Sequence, residues 1–177
     1  MKLKLYFVLI LLVGSLSYVF SQDISGTWEG LFGYGTTYNS RSGMSYRWGK
    51  DSLFMHLEIY QNKRKVTGVF YFSNLRNTKM PIAEYKISGI LDKDNPLSFF
   101  KLVKDGVMED NTKAQSASLL FNSLLLTYTN ADSLNEILYG NWFPERGNGG
   151  VYWVKKISSG VTPSLEKILG IKEKDHS

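Results

Sequence analysis

The chain has 177 residues, with 21 lysines and arginines against 16 aspartates and glutamates, and no cysteine. The missing cysteine excludes disulfide staples, thiol nucleophiles and thiolate metal sites, and with them a lipoprotein, whose lipid is carried on a cysteine. The formal charge of +5 is mild and scattered over Lys63, Arg64, Lys65, Arg76 and Lys79, not the basic stripe of a nucleic-acid binder, so nucleic acid is no expected partner.

Residues 1–21 read as an export signal. Lys2 and Lys4 form a positive start, Leu5 to Val13 is unbroken apolar chain, and Val19-Phe20-Ser21 supplies a cleavage site before Gln22. The apolar run falls short of the ~20 residues a membrane-spanning helix needs. Residues 118–126 and 134–143 are apolar but interrupted by Ser, Asn and Gly. The expected product is residues 22–177, a single domain with no membrane span, in the periplasm or outside the cell. Loss of Lys2 and Lys4 lowers its net charge to about +3.

Eight segments carry strand signals, at roughly 24–32, 51–61, 65–73, 82–91, 96–104, 117–128, 135–143 and 149–157. In the second, Leu53, Met55, Leu57 and Ile59 alternate with Phe54, His56, Glu58 and Tyr60, a period of two. Asn62-Lys63-Arg64 turns the chain, and Val66, Gly68, Phe70 and Phe72 form the inward set of the third. Tyr85, Ile87, Gly89 and Leu91 repeat the device before the turn formers 92–96. Strands so closely spaced predict an all-β antiparallel meander, which hides its two edges by closing into a barrel. A short helix follows at about 163–170, with Thr162 as cap, Pro163 in the first turn, Leu165, Ile168 and Leu169 as its apolar stripe and Gly170 as its stop. Residues 171–177 form a frayed tail.

The domain opens with Gly26-Thr27-Trp28 on the first strand, and Gly140-Asn141-Trp142 repeats the pattern near the end of the seventh. Here the sequence resembles the calycins, the group of lipocalins and avidins. The resemblance implies a lipocalin-like barrel in which Trp28 plugs one end beside the last strand, with the first connection as a lid over the open mouth. Lipocalins place an arginine near the end of the last strand to stack on that tryptophan; Lys155 and Lys156 stand here instead. Glu29-Gly30-Leu31 does not match the biotin-binding residues of avidins.

Residues 33–50 are the most unusual stretch, eighteen residues with four glycines. Their candidate ligand-binding residues are Tyr34, Tyr38, Arg41, Tyr46, Arg47 and Trp48, because rings give rigid contact area and arginine recognises carboxylates or hydroxyls. Two readings stay open: a lid contacting ligand, or a hairpin extending the strands on either side. His56 and Glu58, two apart on one strand face, suit a hydrogen-bonded pair better than catalysis or a metal, which needs three or four ligands. His176, the other histidine, lies in the tail. No nucleophile elbow, phosphate loop or dinucleotide fingerprint occurs.

The expected function is therefore a non-enzymatic exported binding protein without cofactor or metal, holding a small, partly apolar ligand in the barrel mouth or cavity. The alternative is a filled barrel acting as an interaction module or accessory subunit for an envelope protein. Intact-mass measurement of protein from its native host is expected to show a chain beginning at Gln22; retention of Met1 to Ser21 would contradict the export reading.

Overall fold

The structure is a computed structural model that describes residues 23–33, 35–40, 43–48, 52–92, 100–110, 121–130, 135–146 and 149–170. The proposed leader and tail lie outside them. The strands are β1 (Gly26–Gly33), β2 (Gly35–Ser40), β3 (Gly43–Trp48), β4 (Leu53–Asn62), β5 (Lys65–Asn74), β6 (Asn77–Ile90), β7 (Phe100–Asp110), β8 (Phe121–Asn130), β9 (Glu136–Pro144) and β10 (Gly150–Ser159), followed by one helix, α1 (Pro163–Leu169). Eight strands close an antiparallel barrel in the order β1-β10-β9-β8-β7-β6-β5-β4, while β2 and β3 pair only with each other. All eight predicted strands are present in the barrel wall. The fourth starts earlier than expected, at Asn77, because a tight turn at Leu75–Arg76 lets Asn77 pair back onto Asn74.

Alternation decides which side chains enter. Met55, Leu57 and Ile59 of β4 are fully buried, as are Val66, Phe70 and Phe72 of β5. Their neighbours His56, Glu58 and Tyr71 stand on the outer face. Among the described residues no helix is long and apolar enough to cross a membrane.

Closure runs through β1. Between Gly26 and Phe32 each residue has a partner on both β10 and β4, and Trp28 sits opposite Lys156 and Leu57. A bulge between Thr27 and Trp28 adds a residue to the pairing with β10 and turns the strand at the barrel rim. Gly26 (φ +139) stands in backbone space that side chains rarely adopt, and a Cβ there would lie 2.1 Å from the Ser158 carbonyl oxygen. At Gly140 a Cβ would lie 2.0 Å from the Leu125 carbonyl oxygen. Both glycines let neighbouring backbone pass close by, two residues before a buried tryptophan.

Helix α1 lies against the outer face of the wall at β5. Thr162 accepts from the Leu165 amide at 3.1 Å, Pro163 occupies the first turn, and Gly170 (φ +64) closes the end with its amide on the Lys167 carbonyl. Leu165 is 1% exposed. Lys86 Nζ donates to the Ile168 carbonyl at 3.4 Å, tying the helix to β6.

Trp28 is fully buried. Truncating a large buried aromatic costs ~3–5 kcal/mol, so Trp28→Ala is expected to lose about that much in urea unfolding. Phe143→Ala, at an outward ring 43% exposed, is expected to lose less than about 1 kcal/mol. Similar losses at both positions would contradict the assignment of Trp28 to the core.

Candidate functional site

Three places could carry chemistry: the hairpin between β1 and β4, the barrel ends, and a polar cluster outside β4. In the hairpin, Tyr38 pairs with Ser45, Tyr46 with Thr37, Arg47 with Thr36 and Trp48 with Gly35. Tyr34 and Arg41 lie outside the described residues. The stretch is thus a paired two-stranded ribbon, and its first strand runs beside β10.

At the end of the barrel from which this hairpin leaves, the interior holds a cluster of buried rings. Phe32 lies 4.6 Å from Trp142, 5.3 Å from Phe72 and 5.5 Å from Phe70, and Phe70 lies 4.7 Å from Phe121, which is 5.3 Å from Tyr85. None of these six is more than 1% exposed. The indole N–H of Trp142 donates to the Gly33 carbonyl at 3.1 Å, where the chain departs into the hairpin. Offset and edge contacts between rings add ~0.5–1.5 kcal/mol each beyond burial.

The opposite end is sealed by Trp28. Its N–H donates to the Ile24 carbonyl at 3.1 Å, and its ring meets Tyr128 edge-on at 6.3 Å. Lys156 Nζ stands 5.3 Å above the Trp28 ring and donates to Glu136 Oε2 at 3.1 Å. A cation over an indole face is attracted by the ring quadrupole, by ~0.5–2 kcal/mol. The expected meeting of Trp28 with the last strand near Lys155 and Lys156 is therefore present, made by Lys156.

The polar cluster stands outside β1 and β4. His56 is 9% exposed. Its Nδ1 lies 3.1 Å from Glu29 Oε1 and its Nε2 3.0 Å from Glu58 Oε1. The ring stacks on Tyr71 at 4.4 Å. The Thr162 hydroxyl donates to Glu58 Oε2 at 2.5 Å, joining the helix cap to the cluster. The hydrogen bond from His56 holds the Glu58 carboxyl below the usual glutamate range; burial pushes the other way, and the hydrogen bond from Thr162 and the charge of the imidazole add to the lowering. Burial, with Glu29, Glu58 and Glu84 nearby, pushes the Tyr71 phenol up. A carboxylate accepts but cannot donate, so both His56 contacts are hydrogen bonds together only when the ring carries two protons. With each nitrogen turned to a different carboxylate, and Thr162 on Glu58, the arrangement is a latch joining β1, β4 and α1.

The pairing of His56 with Glu58 was expected from spacing, but Glu29 and Thr162 were missed. Glu29 lies 27 positions from His56 and Thr162 lies 104 positions from Glu58, and they join the cluster only through closure of the barrel and docking of the helix. Comparison with known proteins gives no match, whether against family models, curated proteins or solved structures.

Because the Glu58 pKa is lower folded than unfolded, its contribution is complete above the ordinary glutamate value of about 4.3 and is lost as pH falls through the lowered value. The stability difference between wild type and Glu58→Gln is expected to be full above about pH 5 and to shrink below about pH 4. A difference that stays constant in urea unfolding down to pH 3 would contradict the latch.

Proposed function

We propose that this protein is an exported, non-enzymatic interaction module of calycin-like build, with its barrel filled as a structural core and its contact with an envelope protein made by the β2–β3 hairpin. The observation that carries this reading is the ring cluster of Phe32, Phe70, Phe72, Tyr85, Phe121 and Trp142, which occupies the end of the barrel where a mouth would open. Eight-stranded barrels are just wide enough for side chains to fill. Trp28 beside the last strand, with Lys156 over its ring, supports the calycin likeness. The signal-like residues 1–21 support export. The occupied nitrogens of His56 support a non-catalytic role for the most buried titratable cluster.

The hairpin is the element free to recognise something. It is outside the barrel sheet, and its sequence concentrates Tyr38, Tyr46, Arg47 and Trp48, residue types that dominate binding hot spots. The same concentration favours a second reading, in which these residues and Tyr34 and Arg41 close over a small, partly apolar ligand.

Replacing Arg41 and Trp48 together by Ala separates these readings. The interaction module predicts that the double variant keeps its stability within about 0.5 kcal/mol and loses cross-linking to its envelope partner, while native mass spectrometry of wild type finds no bound small molecule. A small molecule that copurifies with wild type and is lost from the variant would establish the second reading. Partner cross-linking indifferent to the hairpin would overturn the first.

A further inference from the structure

A groove of about 510 Å³ runs along the outer wall where β5, β6 and β7 meet, lined by Arg64, Lys65, Ser88, Gly89, Ile90 and Val103. Its volume falls within the ~300–1,000 Å³ of small-molecule sites. Ile90 is 68% and Val103 40% exposed. Ser88 pairs with Val103 and Lys65 with Ile90. The two aliphatic side chains therefore occupy neighbouring rungs of adjacent strands and make one continuous apolar strip.

Cations border the strip. Asn62 pairs with Lys65, leaving Lys63 and Arg64 as a two-residue turn, with Lys63 in the left-handed region at φ +56. Arg64 Nε donates to the Leu91 carbonyl at 2.9 Å, and the Leu91 amide donates to the Arg64 carbonyl at 2.8 Å. This exchange fixes the guanidinium at the groove edge through one nitrogen and leaves its terminal nitrogens for another acceptor. Among the described residues, neither Arg64 nor Lys65 is in an ion pair. Lys101, exposed two residues before Val103, adds a third cation on the β7 side.

We infer that this groove binds a small anionic amphiphile, an acid group carrying an apolar chain, with the acid on Arg64 and Lys65 and the chain along Ile90 and Val103. The planar guanidinium fork matches a carboxylate, and the exposed aliphatic strip gains by being covered. The groove includes the β4–β5 turn, at the Trp28 end of the barrel, and shares no residue with the hairpin. It is a second binding site that stands whether or not the hairpin docks a partner.

The test is titration of the isotopically labelled protein with monomeric decanoate, following the methyl resonances of Ile90 and Val103, with decanol and acetate as controls. Saturable shifts are expected at both methyls. Arg64→Glu with Lys65→Glu is expected to weaken binding on the order of tenfold or more, the loss of charge-assisted hydrogen bonds, while the barrel still unfolds cooperatively, its stability lowered only by the lost Arg64–Leu91 hydrogen bond. Ile90→Ser is expected to weaken it independently, and decanol and acetate to bind far more weakly than decanoate. Absent shifts would overturn the inference. So would shifts confined to interior residues such as Leu126 and Trp142, undiminished affinity in the charge-reversed variant, equal affinity for decanol, or binding to anionic vesicles alone.

Discussion

The double pairing of β1 holds the rest of the structure in place. Seven of its residues, Gly26 to Phe32, stand in register with β4 on one side and β10 on the other, joining the start of the domain to Ser159 near its end. Without that seam the same strands form an open meander with two unpaired edges, which invite association with other chains. Joining ends so far apart is entropically unfavourable, although the cost grows only slowly with loop length. The burial of Trp28 and Phe32, both side chains of β1 at 0% exposure, offsets it. Gly26 and Gly30 keep the backbones close enough for the seam to form: a Cβ at Gly30 would fall 2.0 Å from the Trp153 carbonyl oxygen.

Two consequences for function follow from the seam. It places Glu29 against His56 and so completes the latch to which Thr162 ties the terminal helix. It also brings the inward rings of β1 against those of β5, β8 and β9, filling the hairpin end of the barrel with side chains.

Much of the architecture was legible in the sequence because period-two alternation and turn chemistry are local signals. Met55, Leu57 and Ile59 announced the core face of β4, Asn62-Lys63-Arg64 its turn, and Thr162-Pro163 with Gly170 the two ends of the helix. Trp28 was legible through its glycine and its place on the first strand. The filling of the interior was not, because inward Phe32, Phe70, Phe121 and Trp142 read equally well as the lining of a cavity until strand register brings their rings into contact. Glu29 as a partner of His56, and Arg64 as a neighbour of Ile90 and Val103, depend on which strands become neighbours. The hairpin was one of two open readings of residues 33–50: its glycines, tyrosines and hydroxyls suit a lid as well as a ribbon.

Native-state amide exchange along β1 tests the central claim most directly. A strand paired on both sides exposes its amides only when the whole barrel opens. The amides of Glu29 to Phe32 are therefore expected to exchange as slowly as those of β5 and β6, with the same opening free energy and the same dependence on denaturant. Exchange of β1 by a local opening while β5 and β6 remain protected would show that the seam is not what closes the barrel.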